Sequence, residues 1–551
     1  MQKTTLLLTF IFLMAASPAI SKQRSKDEIR NAAAKVLLIQ DGMKTRAASD
    51  LQELYSTKSL TIMGTSNGHF AVVARDDKFP AILGYSTGKS EDGTFPDAMK
   101  WWAKAISHAM ETQAPTFSAY DILNSGDNEV AKSIKPLITT TWNQNSPYNY
   151  MCPNTAKSGN YPTGCVATAL AQIMNYHKYP EQGEGSYTYV FRPSDGTAYR
   201  LTANFGETTY DWANMLDNYS KNSYNDTQRD AVATLMSHCG ISVNMSYNPS
   251  GSGAYSVEAT NALRNYFRYN KNVRLYRRDF YSAQQWMDIL YRELSNSRPV
   301  LYTGVDPASG GHAFVIDGYD EQGLVHVNWG WGGKSDGFFD ISLLNPSGSK
   351  YSDGQEMIGN ICKPDIDIPF ASQLGAYPLN INIYGSTTKR LSISASVYSI
   401  GAEDFTGTIA AILQNGDTTI VAKKQENVSL KPASLGFFQP TDISLKSIDL
   451  MDIPDGTYRV FLGCRTEKDI SWQLVKSYMG AVCNCVLTKN KGEYSTQEST
   501  DDTWAGTNSI SPITYSKPDT GIYDLQGRSV GSDNKKLPKG IYIIGGKKVI
   551  K

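Results

Sequence analysis

The stretch from Cys165 to His177 constrains the fold of this chain more than any other. It reads Cys-Val-Ala-Thr-Ala-Leu-Ala-Gln-Ile-Met-Asn-Tyr-His, with Gly164 before it and Pro180 shortly after. Those flanks punctuate a helix. The apolar positions wrap most of the way round, so the helix must be buried within the protein. Elsewhere the chain carries 33 Tyr, 18 Phe, 9 Trp and 45 Gly, a mix that favours strands and turns over a helical bundle. The expected class is therefore α+β.

The 551 residues suffice for three or four domains at roughly 150 residues each. Hydrophobic residues make up 40% and charged residues 19%, which excludes wholesale disorder. Basic and acidic residues balance at 53 each, so no net charge draws the chain to nucleic acid, and none is expected as a partner. Lys3, the apolar run Leu6 to Ala16, and the small residues Ala19 and Ser21 read as a secretory signal over residues 1–21. The run is too short to span a bilayer, and no later stretch supplies a transmembrane helix. A secreted or cell-surface protein is expected.

Residues 22–128 read as a small α+β unit, with helices over Asp27–Met43 and Phe95–Met110 and strands over Phe70–Ala74 and Pro80–Tyr85. A polar cluster at 124–128 marks its end. Residues 129–370 form the central region. From 371 to 490 the sequence alternates, as in Leu379–Tyr384, Leu391–Val397 and Tyr458–Leu462, predicting a β-sandwich-like domain. Residues 491–517 read as a polar linker and 518–551 as a strand-like tail.

Chemistry concentrates at two places. Seven cysteines are few for a disulfide scaffold and odd in number, so in an exported protein one is left for another chain or as a reactive thiol. Cys165 stands in the first turn of its helix, where unpaired N–H groups favour the thiolate. His312 follows Gly310-Gly311, which allow close approach, and begins the apolar run Ala313–Ile316. A hairpin folded about residue 320 sets Asn328 opposite His312, in place to orient its ring. His177 lies three turns from Cys165, too far to act on it. No HExxH or EF-hand pattern is present, and Gly84–Ser90 has three residues between its glycines where a phosphate loop needs four. No cofactor or metal is implied.

Three segments in order carry a resemblance: Thr163–His177, Gly311–Gly318 and Val327–Gly333. They resemble the streptopain family of papain-like cysteine proteases. His312 follows Cys165 by 147 residues, the nucleophile-first order of papain-like enzymes. The likeness covers about residues 28–370 and stops before the β-rich third.

The resemblance implies a papain-like catalytic domain over 129–370, preceded by an inhibitory pro-domain over 22–128 that is released by cleavage near 124–131. It implies a secreted endopeptidase, made as a zymogen and self-processed, acting on polypeptides. Cys165 is then the nucleophile and His312 the proton carrier. Gln144 and the Cys165 backbone N–H would form the oxyanion hole. Trp329 and Trp331 would wall the site, with Gly310, Gly311 and Trp331 lining the substrate path. The tail segments Ile522–Arg528 and Leu537–Ile543 are similar to type IX sorting signals of certain Gram-negative bacteria, implying secretion machinery as a partner. Two rivals share these residues: a non-catalytic adhesion protein on a protease-like scaffold, and an amidase or acyltransferase using the same pair.

Overall fold

The computed structural model describes residues 22–502, apart from 42–50, 66–67, 87, 89–96, 113–117, 126–129, 156–158, 194–195, 220–222, 307–309, 343–353, 387, 417 and 434–436, and four strands between 522 and 550. The signal segment, the middle of the cleavage region and residues 503–517 lie outside the described residues.

The predicted buried helix forms as Cys165–His177. Gly164 opens it at a φ of 89°, and a Cβ there would stand 2.6 Å from Met245 Sδ and 3.0 Å from the Ser252 carbonyl. Both the backbone angle and the crowding demand glycine. Lys178 closes the helix in the left-handed conformation.

One ten-stranded sheet organises the first two regions. In spatial order it runs Gln52–Ser56, Leu60–Gly64, Phe70–Ala74, Ile82–Ser86, Gly337–Phe339, Val325–Asn328, Gly310–Tyr319, Val300–Asp306, Glu356–Gly359 and Arg274–Arg277. The first four strands belong to the N-terminal unit and the other six to the central region. At the seam Tyr85 faces Phe338 and Gly84 faces Phe339. The strands at 52–56 and 60–64 were not foreseen from the sequence. Leu60–Gly64 is buried throughout, so no alternation marks it.

The strand Gly310–Tyr319 is covered on both faces. Ala313 and Val315 share a core with Val166, Leu170 and Ile173 of the cysteine helix. Phe314 and Ile316 point into a second core with Trp102 and Ile106 of the helix Asp97–Thr112 and Trp286 and Leu290 of the helix Ala283–Ser295. Burial on both sides explains the unbroken apolar run after His312.

The β-rich third is two sheets over one core. Ile381, Ile393 and Leu445 from one sheet meet Ile409, Val460 and Leu487 from the other. It is fastened to the central region. Arg277 Nε donates to the Ile400 carbonyl (3.0 Å), the Gln373 amide donates to the Leu275 carbonyl (3.0 Å), and Phe280 stacks on Tyr478 at 4.7 Å. Glu493–Ser499 is a strand paired with Asn484–Asn490, not the start of a linker. It is polar and largely exposed on both faces, and its backbone pairing leaves no hydrophobic pattern to read. The tail strands Ile522–Tyr523, Ser529–Gly531, Ile541–Ile544 and Lys547–Ile550 form a small antiparallel sheet of their own. No helix among the described residues is long and apolar enough to cross a membrane.

Candidate active site

All seven cysteines are free thiols. Six are buried, and Cys165 alone is half-buried. Its sulfur is approached by the backbone N–H groups of Ala313, Val166 and Cys165 itself, which favour the thiolate, while burial pushes the thiol the other way and prevails. Placement at the helix N-terminus by itself predicts a thiolate. In the structure desolvation outweighs those N–H groups, and the net direction is toward the neutral thiol.

His312 lies beside Ala313, and Cys165 packs against the core that holds Ala313 and Val315 of the same strand. Its Nε2 bonds the Trp329 carbonyl at 3.0 Å. One ring face stacks on Trp331 at 4.6 Å and 19° between planes, and Trp331 stacks on Trp329 at 5.5 Å and 7°. Burial holds the imidazole down to about 4, against the opposite pull of the Trp329 carbonyl. At neutral pH both groups are therefore uncharged in this form. Among the described residues no hydrogen bond joins Cys165 to His312.

Asn328 stands elsewhere than the hairpin argument puts it. The strands pair Val315 with Asn328, and His312 faces Gly304 on the other side. A register shift between Ile316 and Gly318, with a turn that closes from Asp320 to Leu324, moves Asn328 along the strand. Its Nδ2 donates to the Thr140 carbonyl (2.8 Å) and Gln172 Oε1 (3.2 Å). Its Oδ1 accepts from Gln172 Nε2 (3.1 Å) and the Gly330 N–H (3.1 Å). It does not bond His312. The group facing the ring is a main-chain carbonyl, which no side-chain pattern in a sequence can announce.

Gln144 is half-buried on the segment before the helix. The Thr163 N–H donates to the Gln144 carbonyl at 2.9 Å, two residues from Cys165. Trp329 is fully buried, its indole N–H donating to the Ser335 carbonyl (3.0 Å) and its backbone N–H to Asp336 Oδ1 (2.9 Å). Gly310 and Gly311 pair with Asp306 and Val305 at the mouth of the strand. The N-terminal unit reaches the same loop: Ser86 Oγ donates to the Asp336 carbonyl at 2.5 Å, and a Cβ on Gly88 would stand 2.8 Å from the Gly333 carbonyl. No group of three or more metal-ligating side chains occurs among the described residues.

A helix-borne cysteine against a histidine strand, in an α+β fold whose sheet is extended by an N-terminal unit, defines the class: a cysteine-type peptidase in its zymogen form. Comparison with known proteins gives the family. Residues 142–339 match the Peptidase C10 family. The chain is 38% identical to streptopain of Streptococcus pyogenes over 304 residues, which span 53% of this chain and 76% of streptopain. It is 34% identical over 376 residues to the thiol protease/hemagglutinin PrtT of Porphyromonas gingivalis, spanning 64% of this chain and 42% of that one. Among solved structures, a fragment of Prevotella intermedia prointerpain A superposes with a TM-score of 0.51 at 43% identity, covering 56% of this chain and 97% of the fragment. The chain belongs to the streptopain family of cysteine peptidases.

Proposed function

We propose that the protein is an exported endopeptidase, held latent by residues 22–128 and matured by its own cleavage near 124–131. Cys165 attacks the scissile carbonyl, forming a carbon–sulfur bond. His312 takes the thiol proton and passes it to the departing amine as the carbon–nitrogen bond breaks. Water then hydrolyses the thioester with His312 as base. The Gln144 side chain and the Cys165 N–H receive the oxyanion. Substrates bind extended, with an apolar side chain preferred two residues before the cut. The signal over 1–21 directs export, and the tail over 518–551 engages the secretion machinery.

The observation that carries this reading is the convergence at Cys165. Cys165 packs against the core that holds Ala313, whose N–H, one residue from His312, pulls the sulfur toward the thiolate, and the Thr163 N–H bonds the Gln144 carbonyl beside it. The contact of Ser86 with Asp336 supports latency, because it seats the N-terminal unit on the loop that holds His312. Expression of the wild type and Cys165→Ala, followed by gel and by N-terminal sequencing of the secreted form, tests it. The wild type converts to a shorter casein-degrading form, and Cys165→Ala stays full-length and inactive. Equal conversion of the two contradicts self-processing. Gln144→Ala lowers kcat by about 10²- to 10³-fold, the usual cost of one oxyanion donor; undiminished turnover removes Gln144 from the site.

A further inference from the structure

Gln172 lies about two turns along the cysteine helix from Cys165 and is fully buried. A buried amide is costly unless its bonds are made, and this one makes four. Oε1 accepts from the Trp142 N–H (3.2 Å), from Thr140 Oγ1 (3.0 Å) and from Asn328 Nδ2 (3.2 Å), while Nε2 donates to Asn328 Oδ1 (3.1 Å). The Trp142 N–H can only donate, which fixes the carbonyl end of the amide. Asn328 Oδ1 accepts in turn from the Gly330 N–H (3.1 Å). That N–H and the Trp329 carbonyl belong to one planar peptide unit, and the carbonyl is the group that bonds His312 Nε2 (3.0 Å). Gly330 also sits against the helix, where a Cβ would stand 3.3 Å from Thr168 Cγ2.

We propose that Gln172 is a positioning residue: its amide fixes Asn328, Asn328 fixes the Trp329–Gly330 peptide, and that peptide sets the His312 ring relative to the helix that carries Cys165. The inference rests on the Cys165–His312 reading above. It gives Asn328 a part in the site that acts through a peptide bond instead of by contact with the ring. The bond to Trp142 lies two residues before Gln144. One side chain therefore ties together the nucleophile's helix, the histidine's acceptor and the segment leading to the oxyanion donor.

Full-length Gln172→Glu and Gln172→Met, each matured in trans by a trace of tagged wild-type enzyme that is then removed, test the proposal. Gln172→Glu keeps the acceptor for Trp142 and Thr140 but turns a second oxygen on Asn328 Oδ1. Gln172→Met keeps the length and loses all four bonds. In both, kcat falls about 10- to 100-fold, as for small misplacements of reacting groups, and KM changes less than about threefold. The pH profile of Cys165 alkylation by iodoacetamide moves toward that of an isolated thiol. Wild-type kcat and an unmoved alkylation profile in folded variants overturn the proposal. Loss of the folded state in both variants, read by thermal unfolding, also overturns it, because Gln172 is then a support of the core alone. His312→Ala in the same assays separates the two claims. If it behaves as wild type, the Cys165–His312 reading itself fails; if it is inactive while both Gln172 variants match wild type, only the positioning role falls.

Discussion

His312 and Cys165 were legible as residues because each stands in a telling local setting. The first follows two glycines before an apolar run, and the second follows a glycine at a helix start. Their protonation states were not legible, since a helix N-terminus and a buried sulfur pull in opposite directions and only coordinates show which prevails. Asn328 shows a second limit. A shift of register at Asp317 is enough to slide it past its expected partner, and the acceptor that replaces it is main chain. In the full-length protein the His312 ring is expected to titrate near pH 4. Ring-nitrogen NMR of labelled histidine, assigned with His312→Ala, checks this. An imidazolium at His312 at pH 6 contradicts it.

Elements with a strong period of their own were readable. The helices Lys26–Asp41, Asp97–Thr112 and Cys165–His177 fall close to their predicted places. Elements defined by pairing were not: Glu493–Ser499 is held by backbone bonds to its neighbour. The joining of the first two regions into one sheet is a fact of the same kind. At that seam a Cβ on Gly84 would stand 2.7 Å from Phe339 Cδ1 and 2.9 Å from the Phe338 carbonyl. Gly84→Val overpacks the seam and weakens it by roughly 1–3 kcal/mol. Maturation of the full chain, timed by gel, then runs faster than in wild type, and an unchanged rate contradicts a role for this pairing in latency.

At the scale of the whole molecule the pro form carries three imidazoles that burial holds near 4: His177, His238 and His312. The unfolded chain protonates each near 6.5, so each favours unfolding as pH falls from 6.5 toward 4, by up to roughly 3 kcal/mol. Asp336 works in the opposite sense. Burial raises its carboxyl to about 7, so the folded state keeps a proton that the unfolded state releases above about 3.8. Asp320 and Glu258, whose carboxyls burial also raises, act with Asp336; the three rings outweigh them, so the melting temperature of the full chain drops between pH 6.5 and 4.5, and a rise contradicts the burial of these rings. The proposed function requires that maturation reverse this local balance, so that sulfur and imidazole share one proton as a charged pair. Alkylation of Cys165 by iodoacetamide in the matured enzyme, measured from pH 5 to 9, tests that claim most directly. The expected result is fast alkylation at pH 6 in the wild type and slow alkylation in His312→Ala, which follows a plain thiol titration near 8.5. Equal rates at pH 6 in the two proteins would contradict it.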